Sequence, residues 1–167
     1  GREIARMTAL KRILVVDDEP NVRLMFRVAL ETAGFAVAEA SDGESALELI
    51  DSGQGSFDLV TLDLNMPGLG GMETLGRLGA SGFRTPVVVV TAHGDVAKAV
   101  EAMRLGAIDF LLKPITPAAL RKTVSEFIGR HAARPITLDD PESAEPITVR
   151  AVYQRNLARA RRARFRW

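Results

Sequence analysis

The chain of 167 residues contains no cysteine, only two histidines, and one residue each of tryptophan and tyrosine. Without cysteine it can form neither a disulfide framework nor a thiolate metal site, a composition that suits a reducing cytoplasm. No hydrophobic run approaches the roughly 18 apolar residues that span a bilayer. No basic segment followed by an apolar one resembles a signal peptide at the start of the chain. These absences together predict a cytoplasmic protein that does not associate with membranes.

The charges are distributed unevenly, although the formal net charge is only +1. The last 18 residues contain no acid but carry seven arginines, namely Arg150, Arg155, Arg159, Arg161, Arg162, Arg164 and Arg166. Before them, residues 135–146 are rich in proline and acids, which is typical of a linker. The length and the 47% hydrophobic content indicate one domain of ordinary size with an addition. We therefore predict a leader (1–10), a globular domain (11–130), a linker (131–146) and a basic helical tail (147–167) that begins an output region.

Between residues 11 and 130, short apolar segments alternate with amphipathic ones. The predicted strands are 12–16, 35–39, the segment that leads to Asp63, 86–91 and 108–112. The first predicted helix begins at residue 20 and ends at Gly34. The other predicted helices are 41–50, 69–78, 95–105 and 116–128. This (βα)5 alternation predicts an α/β fold, with a doubly wound parallel sheet, helices on both faces and right-handed crossovers.

Several local patterns predict where the helices begin and which faces they bury. Ser41 and Glu44 match a capping box, and Thr116 is placed to cap the last helix. The apolar face predicted for helix 95–105 consists of Val96, Val100 and Met103. Residues 68–71 contain three glycines but lack the Gly-Lys-Ser/Thr of a nucleotide-binding P-loop, so they predict only a flexible loop.

Charged and hydroxyl side chains follow four of the five predicted strands. Asp17 and Asp18 close the first strand, Asp63 the third, Thr91 the fourth and Lys113 the fifth. Because the carboxyl ends of parallel strands lie at one edge of a sheet, we expect these groups to converge there, with Asp63 at an exposed strand end. Three clustered carboxylates repel one another unless a cation neutralises them. An all-oxygen ligand set favours a hard ion such as Mg²⁺ over zinc.

The same cluster indicates chemistry on a phosphoryl group. Lys113 supplies a point charge suited to phosphate, and Thr91 supplies a hydrogen-bond donor. A carboxylate next to Mg²⁺, an ammonium and a hydroxyl is equipped to accept a phosphoryl group. Asp63 is the candidate acceptor.

Four motifs in this order and spacing resemble the receiver domain of two-component response regulators over residues 11–130. They are Val16-Asp17-Asp18-Glu19, Leu62-Asp63-Leu64-Asn65-Met66-Pro67-Gly68, Val90-Thr91-Ala92 and Phe110-Leu111-Leu112-Lys113-Pro114. The resemblance implies a flavodoxin-like sheet with strand order 2-1-3-4-5. It also implies a phosphoprotein switch of bacterial signalling, which catalyses only its own phosphorylation and dephosphorylation and is not an enzyme acting on a separate substrate.

The resemblance assigns a role to each residue of the cluster. Asp63 would receive the phosphoryl group from a sensor histidine kinase. Asp18 and Asp63 would bind Mg²⁺ directly, Asp17 would bind it through water, and the backbone carbonyl of Asn65 would complete the protein ligands. Lys113 would contact the phosphoryl group.

The resemblance also implies a conformational switch. Thr91 would move towards the phosphate, and Phe110, at a position where the family often has tyrosine, would follow it inward. The bond between Lys113 and Pro114 would be cis. The residues that flank the crevice and would tune hydrolysis of the phosphoaspartate are Leu64, Asn65, Ala92 and His93.

The partners implied are the kinase and a downstream protein or output domain. The face formed by residues 95–128 would change on phosphorylation and would support a homodimer or partner docking. The charges expected on that face are Lys98, Glu101, Asp109, Arg121 and Lys122.

Two other classes of protein stay open. A phosphatase-like enzyme with an aspartyl nucleophile would use the same chemistry, but it would carry an Asp-x-Asp-x-Thr signature in place of the adjacent Asp17 and Asp18. A nucleic-acid-binding module could act through the arginine-rich tail, although residues 147–167 are too few for a helix-turn-helix.

Overall fold

The computed structural model describes residues 10–52, 56–92 and 94–130. The predicted leader before residue 10, the linker and the basic tail lie outside these residues, as does His93. The predictions for those segments are therefore not tested by the structure.

The described chain forms one sheet of five parallel strands in the order β2-β1-β3-β4-β5. The strands are β1 (Arg12–Val16), β2 (Ala36–Ala40), β3 (Leu59–Leu62), β4 (Val87–Thr91) and β5 (Asp109–Leu112). The register aligns Val16 with Ala40 and Leu62, and Thr91 with Leu112, so the carboxyl ends of the strands share one edge. The (βα)5 prediction and the strand order are both confirmed.

Five helices cover the two faces of this sheet. They are α1 (Pro20–Thr32), α2 (Gly43–Asp51), α3 (Gly71–Ala80), α4 (Val96–Arg104) and α5 (Pro117–Arg130). None of the described helices is long and apolar enough to cross a membrane. Gly34 ends the first helical segment with φ +93°, and the Thr116 hydroxyl accepts a hydrogen bond from the Ala119 N–H at 3.1 Å, as their positions in the sequence predicted.

Alternate residues of the strands supply two separate cores. Ile13 and Val15 of β1 pack with Phe26 and Leu30 of α1 and with Leu120 of α5. On the opposite face of the sheet, a second cluster includes Leu14, Val16, Ala46, Leu75 and Ala102. Burial on both faces explains why the three inner strands β1, β3 and β4 are nearly continuous apolar runs and not alternating ones.

The start of α2 differs from the predicted capping box. The N-cap is Asp42, whose Oδ1 accepts from the Ser45 N–H at 2.7 Å, so the prediction that paired Ser41 with Glu44 is wrong. Because Asp42 takes the capping role one residue later, the Glu44 carboxylate is free to face another element. It accepts from the Leu69 N–H at 3.2 Å and so ties α2 to the loop that follows β3.

Two expectations about exposed and buried side chains are also wrong. Val96 is 81% exposed, because it lies in the first turn of α4, and the helix buries Ala99, Ala102 and Met103 instead. Asp109, expected as a surface charge, is 2% exposed. It pairs in register with Val88 inside the sheet, and its Oδ1 accepts from the Phe110 N–H at 2.8 Å.

Candidate functional site

The carboxyl-end edge of the sheet brings together the ionisable groups that the sequence placed after the strands. The Lys113 ammonium lies 2.7 Å from Asp17 Oδ2 and 3.3 Å from Asp63 Oδ2. One carboxylate oxygen each of Asp17, Asp18 and Asp63 lies within 4.8 Å of the others. Asp17 and Asp63 are almost fully buried, whereas Asp18 is half-buried. The convergence predicted from the strand ends is present.

Backbone amides orient the two buried carboxylates. Asp17 Oδ1 accepts from the Glu19 N–H at 2.9 Å, and Asp63 Oδ1 accepts from the Asn65 N–H at 3.1 Å. Each carboxylate therefore has one oxygen held by the loop that follows it, while the other oxygen faces Lys113.

The expectation that Asp63 lies at an exposed strand end is wrong, because Asp63 is only 3% exposed. It follows the central strand of the sheet, and the first residue of α3, Gly71, lies directly against it. A Cβ at Gly71 would overlap the Asp63 carbonyl oxygen and would meet Leu64 Cα at 2.6 Å. The sequence predicted a helix over residues 69–78 and interpreted the glycines at its start as loop flexibility. In the structure the helix begins at Gly71, and this glycine permits close contact with the backbone of the candidate acceptor.

The electrostatics of the cluster follow from burial and from charge pairing. Burial raises the pKa of the Asp17 carboxyl above its ordinary value, while hydrogen bonds from Lys113 and Glu19 partly oppose this rise. Burial also disfavours the charged form of Lys113. Its hydrogen bonds and attraction to Asp17 and Asp63 outweigh that effect, so the pKa of Lys113 lies above 10.5.

The donor set fits a hard divalent cation. In their charged forms, three carboxylates and one ammonium carry a charge of −3 + 1 = −2, which a divalent ion would neutralise. The ligands offered are oxygens alone, the donors that Mg²⁺ prefers, and the half-buried Asp18 leaves one side of the cluster accessible to water. The described residues can therefore hold a metal ion at this edge.

Thr91 ends β4 beside Lys113, and Phe110 lies in β5, three residues before Lys113. Both are buried, and the Thr91 carbonyl accepts from the Lys113 N–H at 2.9 Å. The Phe110 ring packs against the backbone of Gly94, where an added Cβ would lie 2.6 Å from the ring. The bond between Lys113 and Pro114 is cis.

Sequence reasoning missed Arg23, which reaches the cluster through the backbone. Its Nη1 donates to the Asp17 carbonyl at 2.7 Å, and its Nε lies 3.3 Å from Glu39 Oε1. An arginine within an amphipathic helix gives no signal of such a contact, because the contact depends on how α1 packs beside β2.

Comparison with known proteins agrees with this geometry. The family model for the response regulator receiver domain matches residues 13–125. The chain is 43% identical over 108 residues to the regulatory protein AtoC of Escherichia coli, covering 65% of this chain and 23% of that protein. It is 42% identical over 119 residues to the transcriptional regulatory protein FixJ of Azorhizobium caulinodans, covering 71% and 55% of the two chains.

Solved structures give the same result. The chemotaxis response regulator CheY4 of Vibrio cholerae superposes with a TM-score of 0.65 at 30% identity, covering 71% of this chain and 99% of that one. A receiver domain protein of Clostridium thermocellum superposes with a TM-score of 0.67 at 33% identity, covering 74% and 98%.

The chain belongs to the response-regulator receiver family of two-component systems. It is therefore a response regulator, and the matches do not favour the phosphatase-like alternative. The match with AtoC covers about a quarter of that protein and the match with FixJ just over half, so the chain corresponds to one part of these longer relatives.

Proposed function

We propose that the chain is switched by a phosphoryl group that Asp63 accepts from the phosphohistidine of a sensor histidine kinase. The observation that carries this proposal is the position of Asp63 Oδ2, 3.3 Å from the Lys113 ammonium and within a cluster of three carboxylates. A buried carboxylate that faces a fixed cation is positioned as a nucleophile towards phosphorus.

In the transfer step, an oxygen of Asp63 attacks the phosphorus atom. The P–O bond forms as the P–N bond to the histidine of the kinase breaks, and the imidazole leaves with a proton from solvent. Lys113 stabilises the negative charge on the phosphoryl oxygens, because its ammonium is already held in the cluster. Mg²⁺, held by Asp18 and Asp63 directly, by Asp17 through water and by the Asn65 carbonyl, would supply further neutralisation of charge.

The switch follows from the new charge on Asp63. The Thr91 hydroxyl turns to donate to a phosphoryl oxygen, and the Phe110 ring occupies the space beside it. The buried positions of both side chains support this assignment. Two packings of these side chains, biased by the phosphate, make a two-state element. Water then hydrolyses the acyl phosphate and resets the protein, with Leu64, Asn65, Ala92 and His93 controlling access. The chain is thus a phosphoacceptor switch and has no separate substrate.

The output face, which would change on phosphorylation and dock a partner, is formed by residues 95–128 in this proposal. Two of its apolar side chains are exposed, Val96 at 81% and Leu112 at 51%, and the charged side chains of Lys98, Glu101 and Lys122 in the same segment are exposed as well. Exposed apolar groups beside charges fit a face that docks on a second copy or on a downstream protein.

We retain the division of the chain into a receiver (11–130), a linker (131–146) and a basic tail (147–167) as part of the proposal. The tail would begin an output region, and the chain would work in the cytoplasm, where the kinase presents its phosphohistidine. Binding of nucleic acid through the seven tail arginines is a weaker alternative, which would depend strongly on salt.

Phosphorylation by radiolabelled acetyl phosphate in Mg²⁺ tests the proposal. We expect one alkali-labile phosphoryl group per chain in the wild-type protein and none in Asp63→Asn, because an amide is a poor nucleophile. Asp58→Asn is the matched control. Asp58 lies at the other end of β3, paired with Lys11 at 3.9 Å, and its variant should be labelled normally. Label on Asp63→Asn equal to that on the wild-type chain would contradict the assignment.

A further inference from the structure

Arg23 holds the backbone of the metal site without contacting a carboxylate of that site. From the second turn of α1, its Nη1 donates to the Asp17 carbonyl oxygen at 2.7 Å. That carbonyl belongs to the peptide that joins Asp17 to Asp18. The orientation of this peptide plane determines the direction in which the Asp18 side chain leaves the backbone.

The guanidinium is itself anchored on a second element. Arg23 Nε lies 3.3 Å from Glu39 Oε1 of β2, and the Arg23 side chain is only 18% exposed. Because the guanidinium is planar and its donors point in set directions, a contact to Glu39 through Nε determines where Nη1 is aimed. The Asp17 N–H donates to the Ala40 carbonyl at 3.1 Å, so both sides of the Asp17 backbone are tied, one to β2 and one to α1.

We propose that Arg23 is a positioning residue for the metal site: by fixing the peptide between Asp17 and Asp18, it orients the Asp18 carboxylate towards Mg²⁺. This inference rests on the proposed function, because it assumes that the carboxylate cluster binds Mg²⁺. It adds a residue that touches neither the ion nor the phosphoryl group.

Arg23 would act on Mg²⁺ affinity in two opposite ways: its charge weakens binding, and its positioning of Asp18 strengthens it. The two contributions can therefore be separated. A positive charge near the cluster repels Mg²⁺, so loss of that charge alone would tighten Mg²⁺ binding. Loss of positioning would weaken it, because Asp18 would sample orientations that do not face the other carboxylates. The direction of the change in Mg²⁺ affinity therefore decides between them.

Arg27 provides a matched control on the same helix. It lies one turn further along α1, and its Nε contacts the other oxygen of the same glutamate, Glu39 Oε2, at 2.8 Å. Its Nη1 lies 2.8 Å from Glu31 Oε1, one turn further along α1. Arg27→Ala thus removes a positive charge and a Glu39 contact but leaves the hydrogen bond to Asp17 in place.

The experiment is an isothermal titration of the full chain with Mg²⁺ alone at low ionic strength, in the absence of a phosphodonor. We expect Arg23→Ala and Arg23→Lys to weaken Mg²⁺ binding by about tenfold, as is found for residues that orient metal ligands. Lysine keeps the charge but cannot bond Glu39 and the Asp17 carbonyl in the same fork, so Arg23→Lys isolates the geometry. Arg27→Ala should bind Mg²⁺ like the wild-type chain or slightly tighter.

Amide hydrogen exchange of the metal-free chain gives a second readout. In both Arg23 variants the Glu19 amide, which donates to Asp17 Oδ1, should exchange faster than in the wild-type chain and in Arg27→Ala. If Arg23→Ala is unfolded by circular dichroism, Arg23→Lys carries the test. Mg²⁺ affinity in the folded Arg23 variants equal to or tighter than wild type would overturn the inference. Failure of the wild-type chain to bind Mg²⁺ would overturn the proposed metal site itself, and this inference with it.

Discussion

Replacing the candidate acceptor Asp63 by asparagine should stabilise the metal-free protein. The substitution keeps the size of the side chain and an oxygen that can accept from the Asn65 N–H, so the packing of the buried site is preserved. What it removes is one negative charge. That charge attracts the Lys113 ammonium but repels the carboxylates of Asp17 and Asp18.

The distances determine which effect is larger. At the effective dielectric constant of about 20 that suits protein sites, the attraction to Lys113 across 3.3 Å amounts to about 5 kcal/mol. Each repulsion, across no more than 4.8 Å, amounts to at least about 3.5 kcal/mol, or about 7 kcal/mol for the two. Repulsion exceeds attraction by about 2 kcal/mol. Asp63→Asn should therefore raise the free energy of unfolding by about that amount at low ionic strength, or Tm by about 4–8 °C for a chain of this size.

Thermal unfolding followed by circular dichroism in EDTA measures the effect. Excess Mg²⁺ should reduce or reverse this difference in Tm between the variant and the wild-type chain. The ion stabilises the folded chain by binding to it, and the variant lacks one of the carboxylates that would bind the ion. Asp58→Asn is the control. Asp58 lies outside the carboxylate cluster, and its carboxylate has only favourable contacts here, with the Arg12 N–H at 2.8 Å and with Lys11 at 3.9 Å, so the Tm of this variant should not rise. A Tm in EDTA for Asp63→Asn below that of the wild-type chain would show that the attraction to Lys113 exceeds the repulsion and would refute the reasoning.

Three further predictions concern the surroundings of the site. Thr61→Val should raise the free energy of unfolding by about 1 kcal/mol in denaturant titration, because the buried Thr61 hydroxyl has no hydrogen-bond partner among the described residues; no change or a loss would contradict this. Gly94→Ala should lower Tm, since its Cβ would lie 2.6 Å from the Phe110 ring. The control Gly76→Ala should raise it, because the added Cβ would make only an ordinary contact with Leu105 Cδ2, at 3.9 Å, in a helix that alanine favours. The raised pKa of Lys113 means that its charge stabilises the fold below pH 10.5 and that this contribution is lost as pH rises through the higher folded-state pKa. The stability advantage of the wild-type chain over Lys113→Met should accordingly be constant from neutral pH to pH 10.5, where the facing carboxylates keep their charge, and shrink above it. A stability advantage over Lys113→Met that does not shrink above pH 10.5 would contradict this account of the Lys113 charge.

The sequence alone determined the architecture, because the signals for it are local. Short β-branched apolar runs such as residues 87–90 favour strands covered on both faces, and their alternation with amphipathic segments favours a parallel sheet. Parallel strands then force their carboxyl ends to one edge. This is why the sequence alone predicts that Asp17, Asp63 and Lys113 lie together.

Tertiary structure alone decided the features that depend on the distance between elements. The burial of Asp63 follows from the close approach of α3, which Gly71 permits, and the cap of α2 at Asp42 leaves Glu44 to contact Leu69. Arg23 reaches Asp17 only because α1 packs beside β2, where Glu39 orients the guanidinium. Spacing along a chain reports which face of an element a residue occupies. Which atoms meet across two elements depends on their relative position, and that is set by the packing of the whole domain.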